Sequence, residues 1–172
     1  MPTLNDINRF SPTDFSSAFG AVYEHSPWIA VRAFALKPPA GFESFATVLA
    51  ALMATVQSAS ETEKLVLLNS HPELAGKEAL AGILTDESTR EQAAAGLSAM
   101  TAADIAQLRE LNAAYRAKFG FPFIIVARNN TQGAIFGTLR SRLLNTRAME
   151  LNNNLMQVSE IARLRLMDLI AE

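Results

Sequence analysis

The sequence predicts an all-α protein, a single-domain bundle of roughly eight helices with no significant sheet. Apolar residues recur at steps of three and four along almost every segment, which is the period of a helix and not of a strand. Residues that favour helix starts, together with prolines and glycines, separate these segments. At 172 residues and 49% hydrophobic content, the chain can bury one full core, so residues 1–172 are expected to form one domain.

Four helices are predicted in the first half of the chain. Ser11 and Pro12 open the first one, because serine caps a helix and proline suits its first turn. Pro38 and Pro39 follow the second and prevent it from continuing. A long apolar stripe defines the third, and a short apolar run leading to His71 defines the fourth. The expected ranges are residues 11–22, 28–36, 42–56 and 61–69.

Four more helices are predicted in the second half. Thr85 caps the first of them, and Asp86 and Glu87 in its first turn match the positive end of the helix dipole. Thr101 caps the next helix, which ends at Gly120, a residue suited to the left-handed backbone found after many helices. The expected ranges are residues 85–95, 101–120, 131–145 and 149–170.

A continuous apolar run covers residues 119–127, between the second and third of these helices. Gly120 and Pro122 interrupt the run, so it does not fit a helix. Its composition suits a buried strand, but the sequence offers no second strand to pair with it. We therefore expect extended or irregular chain here.

Composition and charge argue against several classes of protein. The net charge is −2 and the 15 basic residues are scattered, so no nucleic-acid partner is expected. The absence of cysteine removes disulfides, zinc-thiolate sites and thiol nucleophiles. The N-terminus has no basic region followed by an apolar core, and no run of about 18 apolar residues occurs. A soluble, cytoplasmic protein with no membrane partner is expected.

His71 is the first candidate for chemistry. Histidine exchanges protons near neutral pH, since its unperturbed pKa is about 6.5. Pro72 restricts the backbone of His71 to extended conformations, which limits the directions in which the imidazole can point. A lone histidine after a helix is more often structural or exposed than catalytic, so this candidate needs partners. His25 and His71 are too isolated in the sequence to suggest a metal site.

Ser88, Glu91 and Gln92 are spaced three and four residues apart, so they project from one face of the predicted helix. They offer a hydroxyl, a carboxylate and a carboxamide. One interpretation is a solvated stripe and the other is a polar pocket. The pocket is favoured because the opposite flank of this helix is already polar, and a helix that is polar on every side needs a reason.

Arg165 is the candidate anion anchor on the last helix. Successive residues step by about 100° around a helix, which places Arg165 inside the apolar arc and Arg163 toward its far edge. An arginine in that position should pair with a carboxylate or receive an anion. The alternative is an arginine whose stem covers the core and whose head reaches water. Tyr115 and Asn112 are interpreted as packing residues with one polar group each.

Three ordered sequence blocks resemble those of the 2-oxo-4-hydroxy-4-carboxy-5-ureidoimidazoline (OHCU) decarboxylases of urate breakdown. Residues 71–77, His-Pro-Glu-Leu-Ala-Gly-Lys, resemble the histidine loop of that family, with glutamate where aspartate is also common. Residues 88–92 match its serine-x-x-glutamate-glutamine motif, and residues 118–124, Lys-Phe-Gly-Phe-Pro-Phe-Ile, match its third block. The resemblance extends over essentially the whole chain.

This resemblance implies a helical carboxy-lyase, usually a homodimer, that converts OHCU to (S)-allantoin and carbon dioxide without a cofactor or metal. It implies that His71 and Glu91 are catalytic. Whether His71 or Glu91 delivers the stereospecific proton stays open. The implied substrate-binding residues are Pro72, Ser88, Gln92, Phe123, Ile124, Ile125 and an arginine of the last helix, for which the helical wheel favours Arg165 over Arg163.

Two other classes of function remain as alternatives. In the first, the protein is a helical interaction module, with Ser88, Glu91 and Gln92 on its surface and Trp28 or Phe123 in contact with a partner. In the second, it carries a small anion without transferring a proton. Accelerated formation of (S)-allantoin distinguishes the enzyme from both.

Overall fold

The computed structural model of the protein describes residues 1–76 and 84–170, apart from the side chain of Ser98. Over these ranges the chain forms nine α-helices and two short 3-10 turns, with no strand, which confirms the all-α prediction. Lys77, the last residue of the histidine block, lies outside the described residues. The helices are α1 (Leu4–Arg9), α2 (Pro12–Phe19), α3 (Trp28–Phe34), α4 (Phe45–Ser58), α5 (Glu61–Asn69), α6 (Asp86–Ala94), α7 (Ala102–Phe119), α8 (Gln132–Arg142) and α9 (Arg147–Met167).

The chain divides into two compact units. The first consists of Met1–Ser70 and the segment that starts at Ser159, and the second is His71–Val158. The expectation of one domain over residues 1–172 stays a prediction.

In the first unit, α3 packs against both α2 and α4. Phe15 lies at the centre of this packing, with its ring centroid 4.8 Å from that of Phe19 and 5.5 Å from that of Phe34. The predicted cap at Ser11 is confirmed, since its hydroxyl accepts from the backbone N–H of Asp14. Helix α1 was not predicted because its 6 residues make fewer than two turns, too few for a periodic pattern.

In the second unit, the predicted caps are also confirmed. The hydroxyl of Thr85 accepts from the backbone N–H of Ser88, and that of Thr101 accepts from Asp104. Helix α7 ends at Gly120, whose φ of 84° lies in the left-handed region that glycine adopts without strain. The segment that follows, residues 121–126, is buried and forms neither helix nor strand, as predicted.

Candidate active site

The loop that begins at His71 is held by side chains from α6 and α7. The Oε1 atom of Gln92 accepts from the backbone N–H of Ala75 at 3.1 Å, and the Nδ2 group of Asn112 donates to the carbonyl of Leu74 at 3.1 Å. Arg116 pairs with Glu73 at 2.7 Å. His71 itself is half-buried. The backbone that follows His71 is therefore held by contacts made two to four residues further along the loop.

Ala75 adds a conformational constraint to the same loop. Its φ is 50°, in the left-handed region that residues other than glycine seldom adopt. Such a backbone persists only where the surroundings hold it, and the hydrogen bond from Ala75 to Gln92 does so here. A side chain of α6 thus holds Ala75 in an unusual backbone conformation.

One face of α6 carries the three predicted polar residues. Ser88 and Gln92 are buried, with 3% and 7% of their surface exposed, and Glu91 is half-buried. A solvated stripe would leave these side chains in water, so the burial favours the pocket interpretation of this face. The structure also gives Gln92 a partner that the sequence did not predict, because it binds the backbone of the histidine loop.

The third predicted group lies in the buried segment after Gly120. Phe123, Ile124 and Ile125 are 1%, 2% and 6% exposed. The 3-10 turn Ala127–Asn129 directly follows them and packs against α6. Within the second unit, α6 is therefore connected to the histidine loop through Gln92 and contacts the turn at the end of the apolar segment.

Arg165 lies in the first unit, where its guanidinium Nη1 is 3.0 Å from Oε2 of Glu24. Only 4% of Arg165 and 3% of Glu24 are exposed. This ion pair agrees with the expectation that an arginine in the apolar arc pairs with a carboxylate. Arg163 instead forms a partly exposed pair with Glu160, three residues earlier on α9. Of the two arginines, Arg165 is thus the buried one.

Sequence reasoning missed a buried polar cluster made by Tyr115, Arg142, Glu150 and Asn154. Arg142 Nε donates to Glu150 Oε2 at 2.7 Å, and Arg142 Nη2 donates to Asn154 Oδ1 at 2.7 Å. The Tyr115 hydroxyl donates to the same carboxylate of Glu150. Glu150 and Asn154 are 0% exposed, and Arg142 is 8% exposed. The packing role predicted for Tyr115 is consistent with its complete burial.

Burial and hydrogen bonding act in opposite directions on the two acids of this cluster. Burial alone would raise the pKa of Glu150, but hydrogen bonds from Asn145, Tyr115 and Asn153 and the charge of Arg142 lower it overall. Burial, followed by the hydrogen bond to Glu150, raises the pKa of the Tyr115 hydroxyl. The tyrosine therefore remains a proton donor and the glutamate remains a charged acceptor at neutral pH.

The described residues contain neither a metal-binding cluster of side chains nor a helix that could span a membrane. In residues 1–76 and 84–170, no group of three or more histidine, aspartate or glutamate side chains is arranged to hold a metal ion. Over the same described part of the chain, no helix is long and apolar enough to cross a membrane. The cytoplasmic location stays a prediction.

A sequence profile described as OHCU decarboxylase matches residues 8–167 of the chain. The chain belongs to the OHCU decarboxylase family. The predicted activity, decarboxylation of OHCU by a carboxy-lyase in urate breakdown, is thereby confirmed. The roles of individual site residues stay predictions.

Individual relatives agree with this membership. The chain is 38% identical over 167 residues to the OHCU decarboxylase of Halalkalicoccus jeotgali, covering 97% of this chain and 91% of that protein. It is 37% identical over 166 residues to that of Xenopus laevis, with 96% and 93% covered. The crystal structure of an (S)-allantoin synthase matches 99% of this chain with a TM-score of 0.81 at 30% identity. The present chain spans only 54% of the length of that synthase.

Proposed function

We propose that this protein converts OHCU to (S)-allantoin and carbon dioxide with a site built from the histidine loop, the polar face of α6 and the apolar segment after Gly120. The observation that carries the proposal is the burial of Ser88 and Gln92 beside Glu91, with Gln92 bound to the loop that presents His71. Buried polar groups of complementary type, fixed by a neighbouring loop, are characteristic of a binding site.

The reaction breaks the bond between the carboxylate and a ring carbon that also bears a hydroxyl. The electron pair released with carbon dioxide forms a C=C bond to the ring carbon that carries the ureido group, and the displaced C=N electrons move to the ring nitrogen, which takes a proton. The hydroxyl then loses its proton to become the ring carbonyl as a proton adds to the carbon that carries the ureido group. His71 hydrogen-bonds the hydroxyl and carboxyl region and moves a proton there. This chemistry needs no external electron sink, so we propose that the reaction requires no cofactor.

The other site residues orient the substrate. Glu91 and Gln92 bind the ureido group and the ring amides, Ser88 supplies a hydroxyl, and Pro72 maintains the direction of His71. Backbone amides from Phe123 to Ile125 hold the other edge of the ring. Arg165 stays the anion-binding residue that the resemblance implies, and Glu24 orients its guanidinium within the first unit. Delivery of the new proton to one face by His71 or Glu91 sets the (S) configuration.

The proposal predicts faster loss of OHCU in the presence of the protein. Urate oxidase and hydroxyisourate hydrolase generate this unstable substrate in place, and its absorbance decay is followed with and without the purified chain. Acceleration that rises in proportion to protein concentration is expected. Decay at the spontaneous rate, even with excess protein, would instead favour an interaction module or an anion carrier.

We also propose that the protein acts as a homodimer. Three apolar side chains of the second unit are exposed to solvent, namely Leu144 at 86%, Met149 at 51% and Met156 at 68%. Met149 and Met156 are seven residues apart on α9, so they lie on the same side of that helix. Exposed apolar side chains on one side of a helix favour contact with another protein surface, here a second copy of the chain.

Met156→Glu is expected to shift the protein from dimer to monomer, because a charge on this surface disfavours burial. Light scattering after size-exclusion chromatography measures the mass. The control is Val31→Glu, at an exposed apolar residue of α3. A monomeric wild-type protein would exclude the homodimer, and a dimeric Met156→Glu variant would exclude this surface.

A further inference from the structure

The apolar segment after Gly120 is held along one edge by α9. The backbone N–H of Ile124 donates to Oδ1 of Asn154 at 3.1 Å, and that of Val126 donates to Oε1 of Gln157 at 3.0 Å. These two amides are two residues apart, the spacing at which groups of an extended backbone point to the same side. Asn154 and Gln157 are three residues apart on α9 and thus lie on one helix face.

The backbone N–H groups of Phe123 and Ile125 alternate along the chain with those of Ile124 and Val126. Within the ranges that the structure describes, neither has a hydrogen-bond acceptor in the protein. Phe123 and Ile125 are nevertheless almost fully buried. Buried backbone donors are nearly always satisfied, so an acceptor that is not part of the described chain is expected at this edge.

Both backbone polar groups of Ile124 are hydrogen-bonded, the carbonyl as well as the amide. Its carbonyl accepts from Nη1 of Arg142 at 2.8 Å, and Nη2 of the same guanidinium donates to Asn154 at 2.7 Å. The Nδ2 group of Asn154 donates to the carbonyl of Pro122 at 2.8 Å. Both polar atoms of the Asn154 side chain are therefore used to bind this segment.

We infer that Asn154 and Gln157 are positioning residues for the decarboxylase. By binding the amides of Ile124 and Val126, they set the rotation of the segment so that the amides of Phe123 and Ile125 face the substrate. Neither side chain needs to touch the substrate. The inference rests on the proposed function, because it concerns the segment proposed there to hold the ring of OHCU.

Gln157 offers the sharper test, since it is half-buried, whereas Asn154 is fully buried within the polar cluster. Gln157→Ala removes the acceptor for Val126 and lets the segment rotate. We expect the KM for OHCU to rise about tenfold while kcat changes little, because the lost binding affects the ground state and the transition state alike. Gln157→Glu keeps an acceptor oxygen and is expected to restore most of the wild-type KM.

The matched control is Asn152→Ala, which removes an exposed carboxamide from the same helix. Its KM should equal that of the wild type. A merely structural role for Gln157 would lower the thermal midpoint and kcat and leave KM unchanged. A wild-type KM in Gln157→Ala, or an equal rise in Gln157→Glu, would overturn the inference while wild-type turnover still supports the proposed function. An inactive wild-type protein would overturn both.

Discussion

Replacing His71 with asparagine is expected to lower kcat by roughly 10²- to 10⁴-fold, the usual contribution of a side chain that transfers a proton. Asparagine keeps a polar side chain of similar shape but has no group that titrates near neutral pH. The fold should be retained, because His71 is half-buried and Gln92 and Asn112 hold its loop through backbone groups. Coupled turnover of OHCU and a thermal midpoint measure the two effects separately.

His25→Asn is the matched control. His25 is exposed and has a φ of 49°, a left-handed conformation that asparagine tolerates well. The same chemical change at this position should leave kcat within experimental error. Near-normal turnover in the His71→Asn variant would contradict the role proposed for His71.

Glu150→Gln is expected to destabilise the protein by about 3–5 kcal/mol, the usual effect of removing one partner of a buried ion pair. The substitution leaves the guanidinium of Arg142 without its carboxylate in a site where the glutamate is 0% exposed. Urea unfolding measures the loss. Glu160→Gln, which breaks the partly exposed pair with Arg163 on the same helix, should cost less than about 1 kcal/mol. Equal effects of the two substitutions would contradict this account of the cluster.

The effect of Glu150→Gln should also depend on pH. The pKa of Glu150 is lower in the folded protein than its ordinary value, so the unfolded chain binds more protons as the solution becomes acidic. Its contribution to stability is complete above the ordinary glutamate pKa and is lost as the pH falls through the folded value. The difference in unfolding free energy between wild type and variant should therefore shrink in acid. A constant difference would contradict a charged Glu150.

Local signals predicted most of the helices. The caps at Ser11, Thr85 and Thr101 depend on hydrogen bonds that span only three residues, so the sequence carries them directly. Gly120 likewise ends α7 through its own backbone conformation. The last two helices were predicted as residues 131–145 and 149–170, whereas they form over Gln132–Arg142 and Arg147–Met167. These shifts lie at helix ends, where single turns form and open easily.

The partners of buried polar groups could not be predicted in the same way. Tyr115 and Glu150 are 35 residues apart in sequence, and Arg142 reaches the carbonyl of Ile124 over 18 residues. Periodicity indicates that a residue faces inward but does not identify the residue it meets there. The same limit explains why the sequence predicted a carboxylate for Arg165 without identifying Glu24. It also explains why the bond between Gln92 and the histidine loop was not expected.

In the proposed mechanism, His71 and its neighbours direct a proton to one face of the substrate. The handedness of the product tests it most directly. Circular dichroism of the coupled reaction should show rapid formation of (S)-allantoin with the wild-type protein. With His71→Asn, the residual turnover is expected to be so slow that the spontaneous reaction dominates and the allantoin is close to racemic. Racemic product from the wild-type protein, or (S)-allantoin formed at the wild-type rate by the variant, would contradict this mechanism.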